Sequence, residues 1–243
     1  MEVVRGVHRF SHGVANFYVY EEDGRLLLID SGVKGDWDLF AQGLASLGHP
    51  PSALSAVVLT HAHADHTGFA ERARADLGRR VWVHQADLDA ARTGRAKKAE
   101  GGLVRYLVHL EAWRTLFGLL AHGGVRIVPI LEASTFTDGQ VLDLPGRPRT
   151  IHLPGHTPGM TGLYCESARA LFTGDALVTR NPLTGRRGPQ IMPGGLNCSS
   201  PQALESLARI ADSPATYVLP GHGDPWSDGA PKAVQLARRA GIS

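Results

Sequence analysis

Four side chains that commonly bind metal ions occur within six positions of the sequence, in the segment His61-Ala62-His63-Ala64-Asp65-His66. In an extended segment, residues i and i+2 point the same way, so His61 and His63 can hold one metal ion. Asp65 and His66 follow where the chain turns toward a helix, and adjacent side chains there diverge and can reach a second ion. A lone histidine is usually a structural residue, but this spacing predicts a metal site.

Three further candidate ligands follow apolar runs that are typical of strands. His156 lies in the segment Leu153–Gly159, Asp175 ends the segment Leu171–Asp175, and His222 lies in the segment Val218–Gly223. A rigid sheet fixes the loops at the ends of its strands, so a cluster of ligands is easily assembled there. The seven candidates comprise five imidazoles and two carboxylates, which suit zinc, although iron or manganese would also fit. We therefore predict two metal ions as cofactor, with zinc as the first choice.

Short β-rich runs alternate with helical patterns along the chain. Asn16–Tyr20 and Leu26–Ile29 flank a turn that contains Asp23-Gly24, which predicts a hairpin. Further strands are expected at Ala56–Leu59, Val81–His84, Val125–Val128, Thr135–Phe136, Val141–Leu144, Thr150–Leu153, Gly162–Cys165, Ala170–Phe172 and Tyr217–Leu219, and helices from Asp36 and at Phe69–Leu77, Pro201–Ala211 and Ala230–Ala240. Strands and helices mixed in both halves predict an α/β protein with mixed sheets covered by helices.

The segment from Thr93 to Gly124 has a different pattern. It opens with the basic stretch Arg95–Lys98 and continues with leucines and aromatic residues at helical spacing. Such a stripe is more typical of a core-facing amphipathic helix, and a lid over the active site is the alternative. Trp113 and Phe117 are four residues apart and share one helix face. The second alternative predicts that this face borders the substrate cleft.

Composition and charge exclude some classes of protein. The chain has 243 residues, of which 43% are hydrophobic and 20% charged, as is ordinary for a globular protein. Its net charge of +2 is no electrostatic reason to expect nucleic acid or an anionic membrane as partner. There is no signal-peptide pattern, no apolar run long enough to cross a bilayer, and only two cysteines, Cys165 and Cys198. We expect a cytoplasmic enzyme with a small-molecule substrate and make no prediction of its oligomeric state.

The ligand segments resemble, in order along the chain, those of the metallo-β-lactamase-fold hydrolases, from Asp30-Ser31-Gly32 to Pro220-Gly221-His222-Gly223. The resemblance implies an αββα sandwich of two mixed β-sheets flanked by helices, with the metals at one edge. It also implies a single domain over residues 1–243, with a helical insertion at about 93–124. The ligand set that it implies has His61, His63 and His156 on the first metal, Asp65, His66 and His222 on the second, Asp175 bridging the two, and Asp30 supporting the ligand loops.

Within that family, the Thr173-Gly174-Asp175 and Pro220–Gly223 segments look like those of glyoxalase II-like thioesterases and lactonases. The resemblance implies that a metal-bound hydroxide attacks a carboxylic ester, lactone or thioester, with Asp65 as the catalytic residue that orients the nucleophile and carries its proton. A mononuclear iron dioxygenase of the persulfide dioxygenase type and a β-lactam hydrolase are the alternatives. Zinc β-lactamases generally lack the bridging aspartate, and the segment after Asp175 lacks the pattern of the dioxygenases.

Three arginines on the Gly/Pro-rich stretch after Asp175 are candidates for binding a substrate carboxylate, namely Arg180, Arg186 and Arg187. Arginines in such loops are usually solvated. We therefore expect a solvated loop rather than a carboxylate site.

Overall fold

The computed structural model describes residues 1–242 and contains two β-sheets that share an apolar interface. The larger sheet has the strand order β1-β2-β3-β4-β5-β6-β7. Its strands are β1 (Glu2–Val4), β2 (Val7–Phe10), β3 (Phe17–Glu22), β4 (Arg25–Ile29), β5 (Leu54–Val58), β6 (Arg80–His84) and β7 (Ser134–Phe136). Neighbouring strands are antiparallel from β1 to β4 and parallel from β4 to β7, so the sheet is mixed, as predicted.

The smaller sheet has the strand order β13-β10-β9-β8. Its strands are β8 (Arg149–His152), β9 (Thr161–Cys165), β10 (Ala170–Gly174) and β13 (Tyr217–Pro220). Only β10 and β13 are parallel neighbours in it, and their carboxyl ends therefore lie side by side. A separate two-stranded ribbon consists of β11 (Val178–Arg180) and β12 (Arg187–Gln190).

Six α-helices accompany the sheets in the described part of the chain: α1 (Trp37–Ser46), α2 (Ala70–Leu77), α3 (Leu88–Thr93), α4 (Leu110–Ala121), α5 (Ser200–Ala211) and α6 (Ala230–Ala240). Short 3-10 helices occupy Lys34–Asp36, Pro51–Ala53, Gln85–Asp87 and Val104–Tyr106. The start of α5 is typical of a helix N-terminus, because the Ser199 side chain accepts a hydrogen bond from the backbone of Gln202 and Pro201 stands in the first turn. None of the described helices is both long and apolar enough to cross a membrane.

The alternation of side chains along β4 explains how the layers form. Leu26 and Leu28 pack with Phe40 of α1 and Ala73 of α2 on one face of the larger sheet. Leu27 and Ile29 point to the other face, where they join buried residues of the smaller sheet such as Phe172 and Leu219. The outer face of the smaller sheet is covered by α5 and α6, through residues such as Leu207 and Val234. The layers are therefore helix, sheet, sheet, helix, and the predicted fold class is confirmed.

Two predicted strands do not form. Val125–Val128 is irregular backbone, and Val141–Leu144 contributes only a single bridge, between Val141 and Arg149. Both segments are apolar in sequence, but Val125 is 54% exposed and Val141 is 40% exposed. An apolar run becomes a strand only where a neighbouring strand can pair with it, and sequence spacing does not reveal that neighbour. Conversely, four short strands were not predicted, because their segments carry little alternation: β1, β2, β11 and β12. The last two form where the sequence predicted a loop around Arg180 and Arg187, and they pair with each other.

Candidate metal centre

The ends of five strands converge at one edge of the sandwich. Asp30 directly follows β4, and His61 follows β5, the parallel neighbour of β4. Asp175 directly follows β10, and His222 follows β13, the parallel neighbour of β10. His156 comes from the turn after β8. Because parallel strands end at the same edge, the ligand segments of both halves of the chain meet there.

The seven predicted ligands form three overlapping groups. The ligand atoms within each group lie within 4.8 Å of one another. The groups are His61, His63 and His156; His61, His66 and Asp175; and Asp65, His66 and His222. The structure thus brings together every residue that the sequence analysis named as a metal ligand.

The Asp175 carboxylate stands at the centre of the cluster. Its Oδ2 lies 3.4 Å from Nε2 of His156 and 3.2 Å from Nε2 of His222. Its Oδ1 lies 3.5 Å from Nε2 of His66. Asp175 therefore faces ligands of both predicted metal positions, as a bridging carboxylate must.

The outward nitrogen of each of three imidazoles is held by a hydrogen bond. Nδ1 of His222 donates to the Val14 carbonyl at 2.8 Å, and Nδ1 of His66 donates to Asp30 at 2.9 Å. Nδ1 of His156 lies 3.2 Å from the Asn197 side-chain oxygen. These contacts hold each ring by Nδ1 and turn its Nε2 into the cluster, which is the orientation that metal-binding histidines require.

Several inward-facing atoms of the cluster have no hydrogen-bond partner although they are fully buried. They are Nε2 of His61, His66 and His222, and Oδ1 of Asp175. A buried polar atom without a partner is costly, and such atoms are rare in native proteins. Four of them in one cluster, on residue types that bind zinc, fit a metal-binding site.

Burial and nearby carboxylates have opposite effects on the pKa values of the histidines in the cluster. Burial lowers the pKa of His156 to about 3 and also lowers the pKa of His61 and of His63. These three rings are therefore neutral near pH 7 and can donate a lone pair to a metal ion. Burial also acts to lower the pKa of His66, but the carboxylates around it, Asp175 first, outweigh this and raise it to about 10. The electrostatic field at His66 therefore attracts positive charge, which is what a cation bound there would supply.

Asp30 supports the ligand loops, as the resemblance implied. One carboxylate oxygen accepts a hydrogen bond from the Thr60 backbone at 2.7 Å, and the other accepts from the Thr60 hydroxyl at 2.8 Å and from His66. Asp30 has a φ of +57°, a left-handed conformation that is unusual for a residue other than glycine. This conformation lets one side chain after β4 orient the loop after β5.

Asp87 plays a similar part and was not found by the sequence analysis. Its carboxylate is buried and accepts hydrogen bonds from the backbone of Ala62 at 3.1 Å, the hydroxyl of Thr157 at 2.7 Å and the backbone of Gly159 at 2.7 Å. It thereby ties the loop of His61 and His63 to the loop of His156. The available signal was weak, because an aspartate just before a helix is usually interpreted as a helix cap.

A cavity of about 500 Å³ opens beside the cluster. The metal-facing end is lined by His63, Asp65, His156, Asp175 and His222, and most of the remaining wall is apolar, including Leu103, Leu107, Leu116, Leu119, Ile127, Leu183, Met192 and Leu196. A volume of this size is typical of small-molecule sites. Among the described residues, Arg126 is the single arginine or lysine in the wall.

The 93–124 segment borders this cavity, and four residues of its predicted apolar stripe are in the wall, namely Leu103, Tyr106, Leu107 and Leu116. Ala112, Thr115, Leu116 and Leu119 of α4 line the cavity. Trp113 and Phe117 do not, and they are 40% and 61% exposed. Their shared face is neither core nor cleft, so both alternatives from the sequence are wrong for this pair.

The three arginines after Asp175 are also absent from the cavity wall. Arg180 forms an ion pair with Glu111 of α4, Arg186 donates to the Ala240 carbonyl, and Arg187 lies 3.6 Å from Asp224. None of them is placed to bind a substrate in the cavity. Through its ion pair with Glu111, Arg180 instead connects α4 to β11.

Comparisons with known proteins agree with this architecture. The chain is 26% identical over 241 residues to the probable metallo-hydrolase YflN of Bacillus subtilis, an alignment that covers 93% of this chain and 87% of that protein. It is 28% identical over 162 residues to the hydroxyacylglutathione hydrolase GloC of Haemophilus influenzae, covering 65% of this chain and 64% of GloC. A metallo-beta-lactamase family protein from Thermus thermophilus superimposes with a TM-score of 0.68 at 25% identity, over 98% of this chain and 80% of that one.

The match to a family model shows which family the chain belongs to. The model of the metallo-beta-lactamase superfamily matches residues 11–222. The matched range begins before Asp30 and ends at His222, so it contains every candidate ligand. The ligand cluster at the strand ends is therefore part of an inherited scaffold, and the chain belongs to the metallo-beta-lactamase superfamily.

Proposed function

We propose that this protein is a hydrolase that binds two metal ions and cleaves a carboxylic ester, lactone or thioester. The observation that carries the proposal is the position of Asp175, whose two oxygens face imidazoles of both ligand groups at 3.2–3.5 Å. His61, His63 and His156 would hold one ion, and Asp65, His66 and His222 the other. Zinc is our first choice, because neutral imidazoles and carboxylates are its usual ligands.

Metal ions held there would lower the pKa of a bound water toward neutrality and stabilise negative charge on a carbonyl oxygen. Asp65 would handle the proton of that water. Its carboxylate lines the cavity, is 20% exposed and lies 3.4 Å from Nε2 of His222. Asp175, by contrast, is 2% exposed, so Asp65 is the carboxylate with better access to a substrate. We therefore assign the acid–base role to Asp65.

The cavity supports an acyl substrate. Its wall includes eight leucine, isoleucine and methionine residues from the 103–127 and 183–196 stretches, and these side chains would bind an apolar acyl group and exclude water from the metals. The similarity to GloC, a hydroxyacylglutathione hydrolase, supports thioesters as one candidate class. No cysteine or serine nucleophile is needed for this reaction.

Metal analysis and a substrate panel test the proposal together. We expect about two zinc ions per chain in protein purified with zinc, and turnover of acyl esters, lactones or thioesters that exceeds turnover of β-lactams and phosphodiesters. His222→Ala should lose metal and activity. His49→Ala should lose neither, because His49 bonds Glu21 far from the cluster. One iron per chain together with oxygen consumption on a persulfide would instead establish the dioxygenase alternative, and preferential β-lactam turnover the lactamase alternative.

A further inference from the structure

The exposed side of the 103–120 segment is unusually apolar. Eight large apolar side chains there have high exposed fractions, from 40% for Trp113 to 83% for Val108. We call this set the outer apolar face: Leu103, Val104, Leu107, Val108, Leu110, Trp113, Phe117 and Leu120. Single exposed apolar residues are normal, but a contiguous group of this kind marks an interaction surface.

This face is held in its exposed position by contacts on the opposite side of α4. Glu111 forms an ion pair with Arg180, and the Thr115 hydroxyl donates to the Pro182 carbonyl at 2.5 Å. The Trp113 indole donates to the Leu107 carbonyl at 2.9 Å, which fixes the ring against the preceding turn. The segment is therefore not free to rotate its apolar side inward.

The outer apolar face continues into the cavity. Leu103 and Leu107 line the cavity, and they are also 49% and 46% exposed. These two side chains therefore join the exposed surface to the cavity wall.

The segment that carries this face is rich in exposed basic residues. The stretch from residue 95 to residue 126 contains six basic residues, namely Arg95, Lys97, Lys98, Arg105, Arg114 and Arg126, against two acidic ones, Glu100 and Glu111. Glu100 is directed to the body of the protein, where it accepts from the Ser200 backbone at 3.0 Å, and Glu111 is shared between Arg180 and Arg114. Ala96, between Arg95 and Lys97, lines the same cavity as Leu103. The segment therefore has an excess of basic over acidic residues although the whole chain is nearly neutral.

We propose that the outer apolar face and its basic fringe bind the surface of an anionic lipid membrane, with the cavity mouth directed at the lipid. Interfacial segments combine Trp, Phe and Leu on one side with Lys and Arg beside them, as this one does. A second copy of the chain fits less well, because a two-fold interface would bring the two basic fringes together. The proposal concerns a surface and does not depend on the reaction that the cluster supports.

Sedimentation with lipid vesicles tests the proposal. The protein should bind vesicles that contain phosphatidylglycerol, and bind pure phosphatidylcholine much less. Trp113→Ser combined with Phe117→Ser should reduce the partition coefficient about tenfold or more, because two apolar side chains leave the interface. Leu131→Ser combined with Val141→Ser, which removes exposed apolar residues elsewhere, should leave binding unchanged. Similar melting temperatures would show that both double variants fold.

The charge and the location are tested separately. Lys97→Glu combined with Lys98→Glu should also reduce binding about tenfold or more, whereas Arg238→Glu combined with Arg239→Glu, an equal charge change on α6, should not. Brominated lipid should quench wild-type fluorescence, and Trp113→Phe should bind but lose most of that quenching. Absence of binding by the folded wild type would overturn the proposal. So would a dimer in solution that Trp113→Ser with Phe117→Ser converts to monomer, which would assign the face to a second copy.

Discussion

At the scale of single residues, the candidate ligands depend on neighbours that hold their outward atoms. His66 is oriented by Asp30, and His222 by the carbonyl of Val14. Gly221 makes the approach of the two halves possible, because a Cβ at that position would lie 2.2 Å from Oδ1 of Asp175. Ligand geometry is therefore a property of these supporting residues as much as of the ligands themselves.

Replacement of Asp65 tests the acid–base role. Asp65→Asn keeps the shape of the side chain but removes its charge and its ability to accept a proton. We expect kcat to fall by about 10²–10⁴-fold with a much smaller change in KM, measured on protein whose metal content has been verified. Asp224→Asn, at a carboxylate that is 70% exposed, is the control and should retain full activity. Near-normal turnover by Asp65→Asn with both metals bound would remove Asp65 from the mechanism.

Replacement of Asp87 tests its role in holding two ligand loops together. Three donors point at this carboxylate, so Asp87→Asn would set an amide N–H against at least one of them. We expect metal affinity to fall by about 10–100-fold, measured by competition with a chelator. Asp89→Asn, at an exposed position two residues later in α3, should bind metal normally. Unchanged metal affinity in a less stable Asp87→Asn protein would mean that Asp87 only stabilises the fold.

At the scale of elements, α4 presents two different faces. Leu116 and Leu119 line the cavity, whereas Phe117, between them in sequence, points outward. The successive residues of a helix differ by about 100° in direction, which explains how adjacent positions serve different surfaces. The same helix therefore contributes both to the cavity and to the outer apolar face.

This division predicts opposite results for neighbouring substitutions. Leu116→Ala enlarges the cavity and should shift the preference of the enzyme toward longer or bulkier acyl groups. Phe117→Ala should leave that preference unchanged and alter stability by only about 0.5 kcal/mol, because the side chain is largely exposed. A series of acyl esters of increasing chain length, with thermal melts of each variant, measures both effects. A changed chain-length profile for Phe117→Ala alone would contradict the assignment of the two faces.

At the scale of the whole molecule, the cluster joins the two sheets. The side chain of Asn16, before β3 of the larger sheet, donates to the Pro220 carbonyl at 2.9 Å, and the Tyr18 hydroxyl donates to the same carbonyl at 2.8 Å. Ligands from both sheets then meet at Asp175. Metal bound there would cross-link the sandwich in the folded state only.

Metal removal should therefore lower the melting temperature. A ligand present at 100 times its dissociation constant stabilises the folded state by about 2.7 kcal/mol, which corresponds to roughly 5–10 °C for a domain of this size. We expect dialysis against a chelator to lower the melting temperature by about that amount, and added zinc to restore it. His222→Ala should respond much less than wild type. An unchanged melting temperature after verified metal loss would show that the cluster contributes nothing to stability.

Local sequence alone predicted the candidate ligands and the class of the fold. The candidate ligands lie in short-range patterns, and such patterns show which residue types follow the end of a strand. These patterns are the segment His61-Ala62-His63-Ala64-Asp65-His66 and the turns around His156, Asp175 and His222. The mixture of strand and helix periodicity likewise predicted a layered α/β architecture, because each period marks which side of an element is buried.

Only the tertiary structure decided the features that depend on residues far apart in sequence. Asp87 acquires its role from Thr157 and Gly159, which are 70 or more positions away, so no local pattern could reveal it. The strand expected at Val125–Val128 lacks a pairing partner, and the stripe that contains Trp113 and Phe117 lacks a covering layer among the described residues. Periodicity shows that a helix has an apolar side. Whether that side meets core, cavity or the surface is set by what the rest of the chain places beside it.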